Sequence, residues 1–245
     1  MSTTASDIFQ EALTSGYKQE VGSWGMHIGV PDDRAAASLN TLTYDMVQAF
    51  LTAFRSLCTV VEMRYDTIAF NAHGQVEKVD EGRQRAIDKG NPEDILGELR
   101  AILPDNRNSF FTALFLYCDV QVFVPFIAST RHTLPPRAPG VQPPTVRIPR
   151  AVVFYLGFVL EHDAAGLLTP VDGSMSVDTS IDVWVPKTRD LAEGQWQDNT
   201  AYARYNRPRL DHALRDWEKL VGKPIVECHS RYYRDQIARY GFTAG

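Results

Sequence analysis

A chain of 245 residues with 44 % hydrophobic and 22 % charged residues is long enough to bury a core without disulfides or metals, and its composition is neither disordered nor fibrous. The formal charge of −5 argues against a general nucleic-acid binder, whose basic face normally shows in the net charge. Cys58, Cys118 and Cys228 lack the paired spacing of a zinc or dithiol site, and residues 1–16 show no basic segment ahead of an apolar one, so reduced thiols in a single cytoplasmic domain, 1–245, are expected.

Residues 7–13 carry a narrow apolar stripe behind Ser6 as N-cap, which predicts a short helix. The glycine-rich stretch GSWGMHIG and the turn Pro31-Asp32-Asp33 follow it. From near Thr43, Met46, Val47, Phe50, Leu51, Phe54 and Leu57 recur at helical spacing. Over residues 60–70, Val61, Met63, Tyr65 and Thr67 alternate with Glu62, Arg64 and Asp66, which predicts a strand. Residues 71–74 read as a turn and 75–79 as a short antiparallel return. The charged run over 80–91 reads as a solvated helix or loop. Asn91-Pro92-Glu93-Asp94 then combines an N-cap, a proline at the first helical position and two acids, and Ile95, Leu96, Leu99, Ile102 and Leu103 supply the stripe of a helix ended by Pro104.

Over residues 110–126 every even position from Leu114 to Phe126 is apolar while the odd ones include Tyr117, Asp119 and Gln121. This is the pattern of a strand with one buried face, and it is too short and too polar for a membrane span. The same alternation occupies residues 152–160 and 177–185. Between the first two strands, a proline-rich loop at about 132–149 is expected to lack regular structure. Asn206 is placed to cap a helix with Pro208 near its start and a stripe of Leu210, Ala213, Leu214, Trp217, Leu220 and Val221; a last helix is expected over 230–240, with Gly241 as its C-cap. The expected architecture is α+β: a mainly antiparallel sheet of four to six strands with helices packed on one face.

No phosphate-binding glycine loop, GxSxG elbow or HExxH motif occurs in the sequence, and no cofactor is expected. Glu161-His162-Asp163 at a strand end is weighed as a metal site against a solvated turn, and Cys228-His229 as a nucleophile pair against ordinary packing. Cys118 reads as a core residue. The aromatic and basic residues near the C-terminus read as packing, with arginines lying over the core. Asp119, Gln121, Glu161, Asp178, Asp182 and Trp184 all project from strand faces opposite apolar ones, and together predict an acidic sheet surface with an aromatic anchor. Two functions follow from it. One is a non-enzymatic protein-binding module, in its most specific form an immunity or inhibitor protein, engaging a partner with a basic surface. The other is a carboxylate-dependent or metal-dependent hydrolase beneath a proline-rich lid.

Overall fold

The computed structural model describes residues 21–71, 73, 75–87, 91–102, 108–124, 143–189 and 195–243. The helix expected over 7–13, Leu103, Pro104, Phe126 and most of the proline-rich loop lie outside these residues. The described elements are β1 (Gly22–His27), α1 (Ala36–Phe54), β2 (Cys58–Phe70), β3 (Val76–Ala86), α2 (Pro92–Ile102), β4 (Ser109–Phe123), β5 (Thr145–His162), β6 (Leu168–Thr179), β7 (Lys187–Arg189), β8 (Trp196–Asp198), α3 (Thr200–Val221), β9 (Glu227–His229), β10 (Ile237–Ala238) and β11 (Gly241–Phe242). Seven strands form one antiparallel sheet in the order β3-β2-β4-β5-β6-β1-β9, and β7-β8 and β10-β11 form separate hairpins. The fold is α+β, with a wider sheet than expected.

Period-2 patterning sets the sheet's two faces. Leu114, Leu116, Cys118, Val120 and Val122 on β4, Val152, Phe154 and Leu156 on β5, and Met175 and Val177 on β6 are buried on the same side. Helices α1 and α3 cover this side. Phe154 stacks on Phe50 of α1 at 4.6 Å between centroids and meets Trp217 of α3 edge-on at 6.4 Å. Helix α2 starts as its sequence specifies, with the Asp94 N–H donating to Asn91 Oδ1 at 2.8 Å. Arg85 and Glu98 tie it to β3.

Several elements differ from the sequence expectation. The glycine-rich stretch forms β1, whose Trp24 and Met26 point into the core. Glu227 on β9 approaches Gly25 closely: a Cβ there would lie 3.0 Å from its Oε2 and 3.2 Å from its Cβ, so that a larger residue would need Glu227 to shift by a few tenths of an ångström. Helix α1 begins seven residues before Thr43, because Asp33 accepts from the Ala35 N–H and the Ser38 hydroxyl at its start and because its buried polar residues, Asn40 and Thr43, blur the apolar stripe. The charged run over 80–91 extends the edge strand β3 as far as Ala86. Strand β5 starts at Thr145, inside the proline-rich segment: Pro149 sits in a bulge opposite Asp119, where its missing N–H breaks no ladder bond.

Strand β6 ends at Thr179, six residues short of the expected end. The chain there turns inward and buries Ile181, Asp182, Val183, Trp184 and Val185 regardless of parity. Asn206 lies within α3, and its amide pairs with the main chain of β4. Residues 230–240 form a turn followed by the β10-β11 hairpin, because Phe242 packs edge-on against Trp24 at 5.5 Å and Trp24 Nε1 donates to the Ala238 carbonyl. Gly241 takes its expected left-handed backbone, at φ 90°, but in that hairpin. None of the described helices is long and apolar enough to cross a membrane.

Candidate functional site: the open face of the sheet

The side of the sheet opposite the helices carries the odd residues of β4 and β5. Strand register arranges them in rows. One row runs Glu62, Tyr117, Val153, Asp178, Ser23 and His229 from β2 to β9. The next runs Arg64, Phe115, Tyr155, Ser176, Gly25 and Glu227, and a third runs Asp66, Ala113, Gly157, Ser174 and His27. The centre is apolar and aromatic, and charged groups surround it. Phe115 and Tyr155 lie 4.9 Å apart between centroids. Tyr155 extends along its own strand over Gly157, where a Cβ would fall 2.0 Å from the phenolic oxygen. Burial raises the Tyr155 phenol above its ordinary pKa, and the nearby Asp66 carboxylate adds to the shift.

Of the six residues expected on this face, Asp119, Gln121, Glu161 and Asp178 are on it. Asp182 and Trp184 are not. Trp184 is fully buried, with its indole N–H donating to Thr179 Oγ1 at 3.1 Å, and Asp182 is buried in the same inward turn. The tryptophan expected there from alternation is therefore a core residue, and the aromatic side chains on this side include Phe115, Tyr117 and Tyr155.

The carboxylates also differ from the acidic surface expected. Asp119 accepts from Arg147 Nε at 2.8 Å and from the Arg150 N–H at 2.9 Å, holding the β5 bulge in which Arg150 has a φ of 48°. Asp66 accepts from the Gly82 N–H at the corresponding bulge of β3. Glu62, 3 % exposed, pairs with both Arg64 and Arg150. All three arginine side chains are more exposed than the carboxylates they pair with, at 43 % for Arg64, 59 % for Arg147 and 54 % for Arg150, while Asp119 is 14 % exposed. Arg64 also lies 5.0 Å above the Tyr117 ring. The β2-β4-β5 half of the face is thus paired in formal charge but presents guanidinium groups over buried carboxylates.

On the β6-β1-β9 half, Asp178 accepts from the Ser23 hydroxyl at 2.5 Å and the Ser176 hydroxyl at 3.4 Å. His27 stands 3.8 Å from Asp172 and 3.6 Å from Glu227, all well exposed. The Glu62 and Arg64 alternation was visible in the sequence. The contribution of Arg147 and Arg150 was not, since it depends on a bulge inside a segment whose prolines argue against a strand.

The candidate chemical sites do not assemble. Asp163 Oδ1 accepts the Ala165 and Leu167 N–H groups, both at 2.9 Å, and so shapes the β5-β6 turn; no cluster of three metal-ligating side chains occurs among the described residues. Cys228 pairs with Trp24 and His229 with Ser23, which puts the two side chains on opposite faces. Burial raises the Cys228 thiol above its ordinary pKa, against nucleophilic activation. Cys118 is buried, as expected. A cleft of about 340 Å³ lies at another end of the sheet, lined by Arg34, Asn108 and the stacked rings of Phe70 and Phe110 among others. Its described walls carry no carboxylate or imidazole to act as general acid or base. No family model, curated protein or solved structure matches the chain.

Proposed function

We propose that the protein is a non-enzymatic protein-binding module that engages its partner with the open face of the seven-stranded sheet. The observation that carries this reading is the arrangement of that face: an aromatic centre of Phe115, Tyr117 and Tyr155, left uncovered by the described helices and ringed by ion-paired charges. Aromatic and arginine side chains dominate binding energy at protein interfaces, and a polar rim excludes water from such a centre. In the narrower form of this proposal the partner is an effector neutralised by capture, as with immunity and inhibitor proteins. The three free thiols suit a cytoplasmic setting.

The test is affinity capture from the native host, with the wild-type chain and the Phe115→Ala, Tyr155→Ala double variant side by side. A stoichiometric protein retained by the wild type and lost by a variant of unchanged circular dichroism is the expected result. Retention of the same protein by both chains refutes the assignment of the face.

A further inference from the structure

We propose that the β2-β4-β5 half of the open face receives an acidic polypeptide segment, whose carboxylates meet Arg64, Arg147 and Arg150 while its apolar side chains cover Phe115 and Tyr155. This deepens the protein-binding reading and rests on it. It also reverses the expectation of a basic partner, for a reason visible in the depth of the charges. Glu62 and Asp119 are largely buried in the face and accept hydrogen bonds within it, whereas the arginine side chains that pair with them are about half exposed. A partner approaching from solvent therefore meets cations first. Each guanidinium is a planar fork of five N–H donors. Arg64 spends its Nε–H on Glu62, and Arg150 donates to the same carboxylate from Nη2. The forks are pre-oriented by these bonds, which lowers the entropic cost of accepting a second carboxylate.

A nucleic-acid strand fits this surface less well. Its backbone would continue past three guanidiniums onto a half bearing Asp172, Asp178 and Glu227, within a chain of net charge −5. A short acidic segment ends before that boundary. The carboxylates on the far half then act as a fence that fixes its position.

The probe is a fluorescein-labelled oligoglutamate peptide, followed by anisotropy at low ionic strength, with labelled oligothymidylate in parallel. Oligoglutamate is expected to bind with an affinity that falls as salt is added. Combining Glu62→Gln, Arg64→Gln and Arg150→Gln removes the charges, leaves side chains able to hydrogen-bond, and lowers net charge by one. The loss expected is about tenfold or more, as for one or two charge-assisted hydrogen bonds. Lys187→Gln, which changes net charge equally but lies on β7, is expected to bind as the wild type does. Should the triple variant melt early, Arg147→Gln provides a second reading, with a smaller loss in the same direction. Wild-type-like binding by a folded triple variant, absence of measurable oligoglutamate binding, or tighter binding of oligothymidylate each overturns the proposal. If oligoglutamate fails while Phe115→Ala, Tyr155→Ala still releases the captured partner, only the partner's chemistry falls; if that release also fails, the binding face falls with it.

Discussion

Replacing Asn206 with alanine tests how α3 is fastened to the sheet. The Asn206 side chain is fully buried; its Nδ2 donates to the carbonyls of Phe123 and Tyr202 at 2.9 and 3.0 Å, and its Oδ1 accepts from the Phe123 N–H at 2.8 Å. It acts as a surrogate strand at the end of β4, satisfying both main-chain groups of one residue. Alanine removes both partners at once. Two partly buried main-chain groups left unsatisfied cost about 2–4 kcal/mol together, of which the better helix propensity of alanine returns about 0.5 kcal/mol. Urea unfolding followed by circular dichroism is expected to show a lower midpoint at an unchanged m value. Amide exchange at Phe123 is expected to accelerate in the folded state. A loss below about 0.5 kcal/mol, in the range of unremarkable surface substitutions, together with unchanged exchange at Phe123 would refute the role given to this amide.

Three further outcomes follow from groups elsewhere in the structure. Gly157→Ala is expected to swing the Tyr155 ring off the sheet, because a Cβ there would lie 2.6 Å from Cζ, and to return the raised Tyr155 phenol toward its ordinary value; ultraviolet titration against a Tyr155→Phe background reads this, and an unchanged titration places the ring elsewhere. Asp211 is held above the usual carboxylate range by burial, only partly opposed by Arg207 and Arg215, and its Oδ1 has no hydrogen-bond partner among the described residues. Its ionised form therefore opposes folding above the unfolded pKa, so Asp211→Asn is expected to raise Tm at pH 7, with the gap closing as pH falls through the folded pKa. A lower Tm at pH 7 would contradict this. For Glu218, burial alone would raise the pKa, but the Ile225 N–H, the Arg239 guanidinium and the Tyr240 hydroxyl together outweigh it and hold the carboxyl low. Its contribution is present above the unfolded pKa and lost as pH falls through the folded one, so the wild-type advantage over Glu218→Gln should shrink in acid; a pH-independent difference would show that the ion pair is not its source.

The antiparallel sheet and its interior, though not its full width, were legible where local and tertiary preferences agree. The even positions of β4 and β5 are apolar because one side of each strand packs under Phe50 and Trp217, and that demand is printed in the alternation itself. The start of α2 at Asn91 was legible because its cap is a contact within four residues. Strand β1 was missed although Trp24, Met26 and Ile28 alternate with Ser23, Gly25 and His27. The glycines there read as a loop, and the two strands that pair with this stretch, β6 and β9, are both distant in sequence.

For the candidate site the division is sharper. The sequence by itself determined which residues alternate across β4, the 152–160 part of β5 and the last three residues of β6, and so placed Asp119, Gln121, Glu161 and Asp178 on the open side; the first nine residues of β6 were not foreseen as strand. It could not show that the chain turns inward after Thr179 and removes Asp182 and Trp184 from that side, because parity carries information only while a strand continues. Nor could it show the depth of a charge. Whether Glu62 and Asp119 face solvent depends on Arg64, Arg147 and Arg150 arriving above them, two of these from a strand that reaches the site through a bulge. Alternation thus read the face as acidic, and tertiary structure decided that its β2-β4-β5 half exposes arginine and aromatic side chains, because burial orders charges by depth as well as by number.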